Sequence, residues 1–132
     1  MRTFPAAGLA LTLGILLIAE AAAAPSIVGS WSGRGTVRLT SGQVEPVSCR
    51  VSYEKGDSAG RTFVFNAKCA APPGTFLLYG RISKRSASTY RGSIFNDQSR
   101  VSGKVSISLR GNSQTIRATS SQGVGNIRLR RR

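Results

Sequence analysis

Three groups of residues in this 132-residue chain have types and spacings that could do chemistry. Gly56-Asp57-Ser58-Ala59-Gly60 has the G-x-S-x-G spacing of a serine nucleophile held on a sharp turn. Cys49 and Cys69 are the only thiols. Glu45, Glu54, Asp57 and Asp97 are the carboxylates beyond residue 23. A nucleophilic serine needs a base beside it, ordinarily histidine, and the chain has no histidine. Its flanking Gly, Asp and Ala read as a turn between two strands, not as a strand-to-helix elbow. Glu45 and Glu54 sit on opposite parities of one strand, so they face opposite ways and form no acid–base pair. Two thiols without histidine do not complete a zinc site, and a lone pair of cysteines in an exported chain forms a disulfide. The expectation is a non-enzymatic protein with a Cys49–Cys69 disulfide and neither metal nor other cofactor.

The export reading comes from the N-terminus. One basic residue, Arg2, precedes an apolar run over residues 6–18, and Ala21, Ala22, Ala23 and Ala24 follow. This is the three-part layout of a secretory signal peptide. The apolar run is shorter than the ~20 residues that span a bilayer as a helix. Cleavage falls after Ala23, ahead of Ala24-Pro25, and no cysteine stands there to take a lipid. Residues 1–23 are read as the signal peptide and 24–132 as one domain, exported to the periplasm or medium, with no later transmembrane segment.

Within 24–132 nothing follows a helical period. Alternation with period two recurs, broken by turn residues. It predicts eight strands, over 31–40, 44–53, 61–69, 75–82, 89–95, 100–110, 114–120 and 124–129. Short connections make an antiparallel all-β meander. A small closed barrel would leave no exposed sheet edge, and a two-sheet sandwich is the competing architecture. The alternation also separates oil from charge. Trp31, Val37, Val47, Cys49, Val51, Tyr53, Phe63, Phe65, Cys69, Val105, Ile107 and Leu109 share the apolar faces. Arg34, Arg38, Arg50, Lys68, Arg91, Arg100, Lys104, Arg110 and Arg117 take the opposite ones. A hairpin centred near Ala59 sets Cys49 opposite Cys69 or one pair off, and a disulfide favours the opposed register because a diagonal offset strains the bond's reach. Gly33 and Gly35 allow close packing or bending in the wall. Tyr53, Phe63 and Phe65, facing inward, are expected to fill the interior.

The net charge is +14, and it survives removal of residues 1–23, which hold one Arg and one Glu. Such a surface attracts an anionic envelope polymer or an acidic protein; solubility and a compositional preference for arginine would produce it equally well. The spread of arginines over many strands argues against one focused groove. Specific nucleic-acid binding is disfavoured, because Trp31, Tyr53, Phe63, Phe65 and Tyr90 lie on apolar faces and not among the arginines, where bases would stack.

Two resemblances extend this reading. Gly29-Ser30-Trp31 at the first strand, with Arg128 and Arg130 on the last, resembles the calycin pattern shared by lipocalins, avidins and small periplasmic metalloprotease inhibitors. That implies a barrel end closed by Trp31 with a late arginine, Arg128 or Arg130, packed over it. The stretches Trp31-Ser32-Gly33-Arg34-Gly35-Thr36-Val37, Cys49-Arg50-Val51-Ser52-Tyr53, Cys69-Ala70 and Arg110-Gly111-Asn112-Ser113-Gln114 resemble small exported proteins of rhizobia-like alphaproteobacteria, which implies compartment and fold but no activity. The leading functional expectation is a non-catalytic exported binding protein with a basic exterior for an anionic partner. The alternatives are an inhibitor of a secreted protease, whose N-terminal trunk would be short here, and a carrier of a small apolar ligand.

Overall fold

The computed structural model describes Thr3, Gly8, Gly14, residues 26–72 and residues 74–132. Apart from Thr3, Gly8 and Gly14, the expected signal peptide lies outside the described residues. Eight strands follow one another: β1 (Gly29–Leu39), β2 (Val44–Lys55), β3 (Thr62–Ala71), β4 (Gly74–Lys84), β5 (Thr89–Asn96), β6 (Val101–Arg110), β7 (Ser113–Ser120) and β8 (Gly123–Arg131). Each pairs antiparallel with the next, and β8 returns to β1, so the sheet is a closed barrel and not a sandwich. Closure leaves no strand edge unpaired. Among the described residues, Ile27 and the buried apolar residues that follow it form one core.

Closure depends on tight backbone approach between β1 and β8. A Cβ at Gly33 would overlap the Arg128 carbonyl, and one at Gly35 would overlap the Asn126 carbonyl. Only glycine fits where two strands of a small barrel come this close. Cys49 and Cys69 face each other directly across β2 and β3, with Cα atoms 4.1 Å apart, and are bonded. That spacing matches the close, non-hydrogen-bonded pair of an antiparallel ladder.

Inward positions are mainly apolar, and the nine basic side chains predicted to face outward are all exposed. One of them, Arg100, belongs to the 97–100 turn and not to β6; its φ of 54° breaks the strand there. A barrel with charge outside and oil inside has the reverse of the sidedness that lipid-embedded barrels need.

Candidate functional site

The two ends of the barrel differ. At one end the turns 56–61, 85–88 and 111–112 surround a packed interior. Tyr53 and Phe65 meet edge to face with ring centroids 5.5 Å apart, and Phe63 and Tyr90 do so at 5.6 Å. Ile82, Ile107, Leu109, Ile116 and Leu129 fill in around them. Trp31 closes this end, fully buried, and its indole N–H donates to the Ile27 carbonyl at 2.9 Å.

The arginine over Trp31 is Arg131. Its guanidinium carbon lies 4.3 Å from the ring centroid, within cation–π range. The same group donates to the Val28 carbonyl at 2.9 Å and to the Ser26 carbonyl, and its Nε donates to Asn112. This corrects the assignment to Arg128 and Arg130, both of which are exposed. The reason is parity. Ile127 and Leu129 point in, so Arg131 is the next inward position and the even-numbered arginines point out. Arg131 also ties Ser26 and Val28 down onto their own barrel.

The other end, ringed by turns 40–43, 97–100 and 121–122, is open. It holds a cavity of about 500 Å³. Val37, Phe76, Leu78, Ile94, Ala118 and Ile127 supply its walls, and Cys69 lies in its lining. The expectation that side chains fill the interior is therefore correct for one half only. The cause is side-chain size. Inward positions on β6 run Leu109, Ile107, Val105, Gly103 from the packed end to the open one, those on β7 run Ile116, Ala118, Ser120, and those on β8 run Leu129, Ile127, Gly125, Gly123. On β3 the order is Phe63, Phe65, Ala67, Cys69, Ala71. On these four strands the large residues end at mid-barrel, whereas on β4 Phe76 and Leu78 stand in the open half and wall the cavity.

Polar groups collect at the open rim. Glu45 has inward parity, lines the cavity and accepts from the Gln43 amide at 3.3 Å. Asn96 also lines it, with its Oδ1 taking the backbone N–H groups of Gln98 and Ser99. The cavity thus has an apolar interior and a hydrogen-bonding mouth.

The remaining candidates fall elsewhere. Gly56–Gly60 is the β2–β3 turn, where the Asp57 carboxylate accepts the Arg61 N–H at 3.0 Å. That bond holds Asp57 below its usual pKa. Ser58 is exposed at the tip. In the packed half, the Tyr53 hydroxyl donates to Gln114 Oε1 at 2.6 Å, while the buried Gln114 Nε2 has no partner among the described residues. Outside, Arg34 stands directly opposite Arg128, and Arg50 opposite Lys68. Arg34, Arg50 and Lys68 border a shallow depression that also contains Ser32, Ser48 and Thr75.

The fold and the cavity define a class: a closed antiparallel eight-strand barrel packed at one end and open at the other. Within that class the chain is similar to designed barrels. One described as a redesigned β-barrel bound to DFHBI superposes with a TM-score of 0.64 at 15% identity, over 80% of this chain and 94% of that one. A de novo fluorescence-activating β-barrel gives 0.62 at 19% identity, over 80% and 93%. A further redesigned barrel gives 0.64 at 14%, over 80% and 91%. At such identities the likeness is one of fold. No protein-family model matches the sequence, and neither does any curated protein.

Proposed function

We propose that the protein is a non-catalytic exported binding barrel whose open half holds a small, mainly apolar ligand. The observation that carries the reading is the cavity of about 500 Å³ walled by Phe76, Leu78, Ile94 and Ile127. Small-molecule pockets fall in the range of roughly 300–1,000 Å³, apolar with a few convergent polar groups. The rim groups of Glu45 and Asn96 suit a ligand whose polar end points to the mouth. A redesigned β-barrel of the same architecture is described as bound to DFHBI, which supports the reading of a barrel that holds a small molecule. The disulfide is compatible with an oxidising compartment.

The test uses residues 24–132 and the neutral probe N-phenyl-1-naphthylamine, which the basic exterior does not attract. Saturable binding at one site is expected. Ala118→Phe, which puts a ring into the empty half, should weaken binding at least tenfold without lowering the melting temperature. Absent saturation, or equal binding by Ala118→Phe, would overturn the reading.

A second reading places an anionic envelope polymer on the outside of β8, β1, β2 and β3. Like charges directly opposite on a sheet are destabilising, and Arg34 against Arg128 and Arg50 against Lys68 are two such pairs. A bound polyanion relieves that repulsion. Retention on heparin that falls steeply with salt, and that drops on Arg34→Gln with Arg50→Gln, is the expected outcome. Retention indifferent to those substitutions would remove it.

A further inference from the structure

Among the described residues, four large apolar side chains are exposed on this charged exterior: Val44 (51%), Tyr79 (44%), Phe95 (41%) and Leu77 (38%). Their placement is uneven. Val44 is the first residue of β2 and Phe95 the next-to-last of β5, both at the open end. Leu77 lies in the mouth-side half of β4, and Tyr79 at mid-strand directly across from Phe95. Leu77 and Tyr79 share the outer face of β4, because they are two residues apart. Leu77, Tyr79 and Phe95 therefore form one patch on the wall behind which Phe76, Leu78 and Ile94 line the cavity.

Cations frame the patch. Lys68 lies directly opposite Leu77 on β3. Arg81 is the next outward position after Tyr79. Lys104 lies across from Ser93, one outward step from Phe95. Arg38 stands opposite Val44 at the rim.

We propose that this face docks the open end of the barrel onto an anionic phospholipid surface. Tyrosine, phenylalanine and leucine are the side chains that settle at the bilayer interface, and lysine and arginine beside them meet anionic headgroups. A second copy of the chain is the wrong partner, because a self-complementary contact would set these cations against themselves on a molecule of net charge +14. Single-stranded nucleic acid is a poorer match, since Leu77 and Val44 offer no stacking surface. The proposal rests on the cavity reading for its purpose only: an apolar ligand would pass between bilayer and barrel without crossing water. Docking itself is measured separately.

The experiment is co-sedimentation of residues 24–132 with vesicles of phosphatidylcholine, alone or mixed with phosphatidylglycerol. Binding is expected only to the mixed vesicles. Tyr79→Thr with Phe95→Thr keeps β-favouring residues and removes the rings; it should weaken binding at least tenfold. Lys68→Gln with Lys104→Gln should weaken it by roughly an order of magnitude. Arg110→Gln with Arg130→Gln removes the same charge from the far side of the molecule, at the packed end of β6 and β8, and should change it by less than threefold. Ala118→Phe should leave vesicle binding intact, so failure of the cavity reading and failure of docking are separable. The proposal is overturned if no vesicle binds, if the far-side pair matters as much as Lys68 and Lys104, or if losing both rings changes nothing. It is equally overturned if the rings prove necessary for binding a single-stranded oligonucleotide and not for binding vesicles.

Discussion

The packed and open halves of the barrel share strands, register and sidedness, yet they differ in what their inward positions carry. On β8 the packed half presents Leu129 and Arg131 and the open half Gly123 and Gly125. On β3 the contrast is Phe63 and Phe65 against Ala71. On these strands side-chain volume separates the solid half from the hollow one, while Phe76 and Leu78 of β4 form a wall of the hollow half. Stability is concentrated at the Trp31 end, because removing a well-packed ring costs transfer energy and leaves a cavity. The open half already borders space, and its residues can be exchanged with less loss.

The widest separation between the halves should come from Trp31→Ala against Val37→Ala, both inward on β1. Trp31→Ala is expected to cost about 3–5 kcal/mol and Val37→Ala under about 1.5 kcal/mol. Denaturant titration followed by circular dichroism measures both. Equal costs would mean that the mouth is packed as densely as the base.

Next in size is the disulfide, which lies at the border where Cys69 lines the cavity. Cys49→Ala with Cys69→Ala should lower stability by about 2–4 kcal/mol, chiefly by freeing the unfolded chain. Fluorophore binding at temperatures well below the melting point should persist. Lost binding in a folded variant would show that the bond shapes the pocket and not only the stability.

The packed half contains one polar fault, and it yields a smaller effect. Gln114 satisfies Tyr53 but leaves its own Nε2 unpaired. Tyr53→Phe or Gln114→Met alone should cost about 1–3 kcal/mol, whereas the double substitution should come out near neutral, because both buried polar groups then leave together. Burial also lifts the Tyr53 phenol above its ordinary value of 10.0. The unfolded chain therefore releases that proton first, and stability present below pH 10 should fall as pH rises beyond it. Tyr53→Phe should flatten that alkaline slope. Additive single costs in the double variant would refute the coupling.

Much of this was legible in the sequence. Period-two alternation located eight strands to within about two residues at most ends, because each strand has one wet and one dry face. The outward arginines and the shared face of Cys49 and Cys69 follow from the same parity, and the reach of a disulfide selects their directly opposed register. Barrel closure did not follow, since sandwich and barrel impose the same alternation; the β1–β8 pairing that decides between them joins residues at opposite ends of the chain. The cavity does not show in the alternation, because polarity and side-chain volume vary independently on the inward face. Gly103, Ala118, Gly125 and Ala71 were the available signal, and they become one only when successive strands are read in opposite directions. Tyr79 and Phe95 escaped because a single outward ring interrupts the alternation without breaking it.

Arg131 shows how far parity alone can carry a site assignment, and it yields the smallest expected effect. The tail holds Arg128, Arg130, Arg131 and Arg132. Composition makes them interchangeable, but alternation does not, because the inward register that contains Ile127 and Leu129 reaches only Arg131. Arg131→Ala should lose the contact with Trp31 and the bonds to Val28 and Ser26, about 1–2 kcal/mol in all. Arg130→Ala, exposed and opposite Ser32 and Ser113, should stay within about 0.5 kcal/mol of neutral. Thermal melts of the two variants compare an inward and an outward arginine one residue apart. Arg131→Lys adds the finer test: it keeps the charge over the ring but loses the planar fork that reaches two carbonyls at once, so it should recover only part of the difference. Full recovery by lysine would reduce the end cap to its charge, and no loss from Arg131→Ala would leave Trp31 and Ile27 as its only structural members.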